Sequence, residues 1–318
     1  MTHHTLAATP DTVRWGYWDA GIPPVLRVEP GDTVTIDTLS GEPEDMPEPA
    51  NGFTILPGHR EVHQRGQRGT GPHFLTGPIH VAGAVPGDVL AVTILDVALR
   101  QDWGWNLQMP LLGTLPEDFP ALRRLHLPID RERKIVTLPW GQTLPLSAPF
   151  FGNFGVAPPK DWGRQDSIRP RAFGGNMDNK ELTAGTTVYF PVFVEGALFS
   201  AGDGHAVQGD GEVCLTAVET ALTGRFALNL LKGRSLKLPR AEKPDCWITM
   251  AFDEDLDDAA KQALREMIRL IGELSGLKPQ DAYTLCSLAA DLRVTQMVDG
   301  NKGIHCVLPK RCLPARQA

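Results

Sequence analysis

The chain has 318 residues, of which 42% are hydrophobic, and a net charge of −7. That is enough to bury a sizeable core in one large or two to three small domains. No run of Lys and Arg is long enough to neutralise a nucleic-acid backbone, and no apolar run approaches the roughly 20 residues of a membrane span, so neither nucleic acid nor membrane is an expected partner.

Met1–Pro10 has no basic stretch leading into an apolar core, so no signal peptide is expected, and His3-His4 reads as a disordered end. Val25-Leu26-Arg27-Val28 leads through the turn signal Pro30-Gly31-Asp32 into Thr33–Asp37, which alternates at period 2. The phrase returns at Pro86-Gly87-Asp88 before Val89–Ile94, and more loosely before Val188-Tyr189-Phe190. Residues 39–72 are polar and rich in Gly and Pro, and read as a long loop. In it, or just beyond it, lie His59, His63 and His80, expected to be exposed or structural. Residues 101–150, with Trp103, Trp105 and Trp140, read as short strands and excursions, and 150–173 as a second loop. His126 and His305 fall in apolar strands and are expected to pack.

After about residue 240 the pattern changes. Asp253-Glu254-Asp255 precedes Leu256, Ala260, Leu264, Met267, Ile268 and Ile271 at helical spacing, and Gly276 marks the end. A second helix is expected near 279–290, then strands at 292–298 and 303–308. Gly and Pro number 32 and 27, which suits many short strands and turns. The expectation is a mainly β protein: a sandwich or barrel body over 1–240, carrying the catalysis, and a small α+β unit over 241–318. Cys214, Cys246, Cys286, Cys306 and Cys312 form no CxxC, and read as buried or incidental thiols of a cytoplasmic protein.

The segment 174–219 is the one that points to chemistry. Asn176-Met177-Asp178-Asn179 lies on one side of an apolar run, with Asp203-Gly204-His205 and Asp210-Gly211-Glu212 on the other. In extended backbone, residues i and i+2 share a face, so Asp203 would project with His205, and Asp210 with Glu212. Oxygen and imidazole donors on one face suit a divalent metal. The same residues also permit a plain reading: Gly-Asp-Gly as turns, Asp178 as a cap, and His73 as a core histidine.

Several blocks carry a resemblance. Trp15-Gly16 and Glu29-Pro30-Gly31-Asp32 form the first, and His73-Phe74-Leu75-Thr76-Gly77-Pro78-Ile79 the next. Gly174-Gly175-Asn176-Met177-Asp178 with Phe199–Ala206 and Gln208–Glu212 is the strongest, and Asp281-Ala282-Tyr283 with Ser287–Asp291 the last. Together they resemble the acetamidase/formamidase family over nearly the whole chain. His80 departs from the pattern, where a tyrosine is expected, and so do the loops at 39–72 and 101–130. The resemblance implies a largely β architecture, a homo-oligomer (dimer or higher), and hydrolysis of short amides such as formamide to a carboxylate and ammonia.

Amide hydrolysis needs an activated nucleophile, a polarised carbonyl and a proton for the leaving nitrogen. On that chemistry, Asp178, Asp203 and His205 are expected to bind a divalent metal. Glu212 is the expected general base and acid, with Asp210 orienting it or joining the metal shell. His73 and Asn176 are expected to contact substrate or orient a ligand. A single His with no Cys suits zinc, and further oxygen donors would favour calcium or magnesium. No Ser-rich amidase segment or GxSxG elbow is present in the sequence, and a nitrilase-like Glu-Lys-Cys set belongs on a different, α/β architecture. The rival expectation is a non-catalytic, small-ligand-binding β protein of the same fold.

Overall fold

A computed structural model describes residues 1–315, so the last three residues of the expected C-terminal unit lie outside it. The chain builds two large sheets. The first has nine strands in the order His3–Leu6, Thr33–Asp37, Leu222–Leu231, Val89–Leu99, Thr187–Pro191, Arg240–Glu242, Cys246–Asp253, Lys302–Pro309 and Asp291–Gln296. The second has eleven strands, with Phe199–Val207 at its middle, bonded to Phe150–Gly155, Phe74–Val81 and Val218–Thr220. Phe151, Phe154, Phe190, Phe199 and Phe226 fill the core between the sheets. The mainly β expectation holds.

The alternating strands form where the pattern places them, because Thr33–Asp37 buries Val34 and Ile36 and leaves the threonines half-exposed. Three α-helices occur among the described residues: α1 Pro57–Arg65, α2 Leu256–Ser275 and α3 Pro279–Ala289. Asp255 caps α2 by accepting from the Asp258 N–H at 3.0 Å, and Gly276 ends it in the left-handed region at φ 79°. Met267, Leu270 and Ile271 of α2 pack with Ile304, Cys306 and Leu308 of the last strand.

Three local expectations fail. The 39–72 loop contains α1, which buries His59 and Val62; a hydrogen bond of 2.8 Å joins His59 Nε2 to the Ser40 carbonyl. Phe150–Gly155, read as loop, is a strand paired on both sides; it is buried throughout and so lacks the alternation that marks a half-buried strand. His3-His4, read as a disordered end, open the strand His3–Leu6, which pairs in parallel with Thr33–Ile36. The C-terminal strands continue the nine-stranded sheet, so residues beyond 240 share a frame with the body. The five cysteines are all free.

Candidate active site

The site grows from one row of cross-strand neighbours. His205 faces Phe150 on one side and Glu219 on the other, and Glu219 in turn faces Trp105. Phe150 meets the His205 ring edge-on at a centroid distance of 5.0 Å. Asp203, two residues before His205, projects beside it as the sequence suggests, with its carboxylate 3.3 Å from His205 Nε2. The backbone there is not regular, however. Asp203 has φ 57°, and Asp178 and Glu212 have φ 48° and 46°. Three acids of one site held in a region that favours glycine are strain concentrated where side chains must be aimed.

Gly152 lies beneath the cluster. A Cβ there would sit 2.7 Å from both Asp203 Oδ2 and His205 Cε1, and closer still to Asp178 Oδ1. Only a residue without a side chain lets this strand pass so near three site groups.

The last acids arrive from the C-terminal segment. The Gly211 N–H donates to the Thr295 carbonyl at 3.0 Å, and the Met297 N–H donates to the Gly211 carbonyl at 3.1 Å. This stitch sets Glu212 and Asp299 in the same pocket. The pocket is thus not confined to residues 1–240.

His205 has a defined orientation. Gln208 Nε2 donates to the Asp178 carbonyl at 2.7 Å, so its Oε1 faces His205 Nδ1 at 2.8 Å. Nδ1 therefore carries a hydrogen, and Nε2 is the atom presented to the acids. Nε2 lies 3.2 Å from Glu219 and 3.7 Å from Asp178, yet makes no hydrogen bond of acceptable angle. Both carboxylate oxygens of Asp178, one oxygen each of Glu212, Glu219 and Asp299, and Asn176 Oδ1 are likewise buried without a partner. Two triads converge: Asp178, His205 and Glu212, and Asp203, His205 and Glu219, with ligand atoms in each within 4.8 Å of one another.

So many buried acids must hold protons or a cation. Burial, then neighbouring carboxylates, pushes Asp178, Asp299 and Glu212 well above the usual carboxylate range. Burial also pushes Glu219 up, to about 7, with Asp203 adding to the effect and His205 opposing it. His205 resists the burial that disfavours its charge, because Glu219 and Asp203 hold its pKa well above the ordinary histidine value. Burial works against Asp203 too, but His73 and His205 hold its carboxyl well below the usual range. Burial lowers the pKa of His73 itself, and Asp203 opposes that shift.

Of the residues singled out in the sequence, Asn176, Asp178, Asp203, His205, Glu212 and His73 all line this one cavity. His73 Nε2 lies 3.8 Å from Asp203, and its Nδ1 is 2.8 Å from Ser167 Oγ. Asp210 does not join them. It is about one-third exposed and pairs with Lys180 at 3.1 Å. Residues 210–212 form a turn with Glu212 at positive φ, so the i, i+2 rule for a strand does not apply. Glu219 and Asp299 were missed. An acid inside the apolar run Ala217-Val218-Glu219 is the signal that could have found the first. Val298-Asp299-Gly300 reads as an ordinary turn, so the second gave none.

The cavity has a volume of about 620 Å³. The acid cluster lines its buried end, and Trp105, Leu107, Met109, Leu112 and Leu215 form an apolar part of the wall, with Glu44, Arg68, Arg124 and Arg169 also on the lining.

Known proteins share this arrangement of strands. The formamidase of Methylophilus methylotrophus is 29% identical over 257 residues, which is 64% of this chain and 60% of that protein. The chain spans less than two thirds of the length of the curated relatives it matches. The acetamidase structure from Bacillus halodurans superposes with a TM-score of 0.83 at 32% identity, covering 96% of this chain and 97% of that one. The acetamidase structure from Yersinia enterocolitica gives 0.85 at 30% identity, covering 99% and 93%. The sequence profile of the acetamidase/formamidase family matches residues 4–166 and 163–313, and with that match across both sheets the chain belongs to the acetamidase/formamidase family.

Proposed function

We propose that this chain hydrolyses linear C–N bonds of amides, releasing a carboxylate and ammonia, with a divalent metal held at the acid cluster. The observation that carries the metal is the set of buried, unpartnered oxygens converging with His205 Nε2. Asp178, His205 and Glu212 would hold the ion, with Asp203 beside them. One imidazole among oxygen donors fits zinc, while the additional acid Asp299 raises the oxygen count toward calcium or magnesium. Such a cation supplies positive charge that polarises the amide carbonyl and makes water a better nucleophile.

The remaining groups handle protons. The sequence reading gave this task to Glu212. We assign it instead to Glu219, the cross-strand neighbour of His205, whose carboxyl is pushed up by burial. Glu219 Oε1 accepts from the Ala217 N–H at 2.8 Å, which fixes the carboxyl and leaves Oε2 free for this work. His73 and Asn176 line the cavity where the amide would be oriented.

The test is ammonia release from formamide and acetamide by protein as purified, after chelation, and after add-back of zinc, calcium or magnesium. Loss on chelation and recovery with one ion supports the reading and names the ion. Glu219→Gln should lower kcat about 10²–10⁴-fold with metal content retained. A Glu219→Gln enzyme of normal kcat would remove Glu219 from the mechanism.

A further inference from the structure

The cavity is much larger than formamide or acetamide needs. Pockets of about 300–1,000 Å³ enclose ligands of drug size, and this one, at about 620 Å³, falls in that range. We infer that its outer chamber takes the acyl group of a primary amide bearing an extended apolar chain. This rests on the amide-hydrolase reading above and adds the substrate class.

Three observations orient the substrate. The inner end is polar: the buried oxygens of Asp178, Glu212, Glu219 and Asp299 lie there beside His205. Both the carbonyl and the NH₂ of a primary amide suit that end, whereas an N-alkyl group would set carbon among carboxylates. The acyl substituent must therefore run outward. Outward from Glu219 the next residue in the row is Trp105. Its Nε1 already donates to Ser40 Oγ at 3.0 Å, so the indole has no polar need left to satisfy. Beyond it Leu107 is buried, while Met109 and Leu112 are 37% and 44% exposed and still line the cavity. A two-carbon amide held at the acids leaves this apolar wall in water, and a longer chain covers it.

The test is kcat/KM along a straight-chain series from formamide through acetamide and butyramide to hexanamide, with phenylacetamide as an aromatic member. Burial of each methylene is expected to raise kcat/KM about fourfold, so hexanamide should exceed acetamide by about two orders of magnitude. Leu112→Glu, placed at an exposed rim position, should cut the hexanamide-to-acetamide ratio about tenfold by putting a charge where two methylenes would lie. A series that is flat or falls beyond acetamide overturns the chamber and leaves the amidase reading standing. No ammonia from any member overturns the amidase reading. In that case calorimetric titration of hexanamide against acetamide still tests the chamber: equal affinities overturn it, and tighter binding of hexanamide upholds the apolar site.

Discussion

Gly152→Ala tests whether the acid cluster is as tightly built as its geometry says. The new methyl would lie 2.7 Å from Asp203 Oδ2 and His205 Cε1, about 0.7 Å short of ordinary contact, and nearer still to Asp178 Oδ1. The strand cannot recede. It is bonded on one side to Phe199–Val207 and on the other to Gly174–Asn176, and both of those strands are buried. The side chains must therefore move, and they are the groups assigned to the ion. Overpacking of this kind costs about 1–3 kcal/mol of stability, and misplacement of reacting groups by about 1 Å costs about 10²-fold in rate. Gly224→Ala is the matched control, because its methyl would meet the rings of Phe151 and Phe226 in the core, away from the acids. Both variants should melt at lower temperature, and only Gly152→Ala should lose metal content and about 10²-fold in kcat/KM for acetamide. Gly152→Ala with wild-type metal content and turnover would refute the argument that this backbone position shapes the site.

Three further outcomes are expected. In chelated protein, Asp178, Asp299 and Glu212 bind protons more tightly folded than unfolded, so their stabilisation is full below the ordinary values of 3.8 and 4.5 and is lost as pH rises; for Glu219 the window closes near 7. His205 adds a loss of the same sign above 6.5, and Asp203 opposes, its contribution being present above 3.8 and lost on acidification. The melting temperature of chelated protein should therefore fall between pH 4.5 and 7 while that of ion-loaded protein does not, and parallel curves in scanning fluorimetry would count against a cation at these acids. Gln208→Ala frees His205 Nδ1, and equilibrium dialysis should show ion affinity reduced about 10–100-fold; unchanged affinity would mean the amide does not orient the ring. Asp210→Asn removes only a part-exposed pair with Lys180, so it should cost at most about 1 kcal/mol and leave kcat/KM unchanged; a hundredfold loss of kcat/KM would restore Asp210 to the site.

The sequence by itself determined the composition of most of the site and the class of the fold. Period-2 runs, Pro-Gly-Asp turns and the capped amphipathic helix are local patterns, and each formed because its residues bury one face and expose the other. Asp203 and His205 were legible as partners because they share one strand. Tertiary structure decided what depends on register and on segments distant in sequence. Glu219 enters the site only as the neighbour of His205 across a strand pair, and Asp299 only because Gly211 is stitched to residues 295–297. Phe150–Gly155 carries no alternation because both its faces are covered, and no local rule reports that. Asp210 was lost from the set for the converse reason. Its spacing from Glu212 implies a shared face only in extended backbone, and the positive φ of Glu212 turned the two side chains apart.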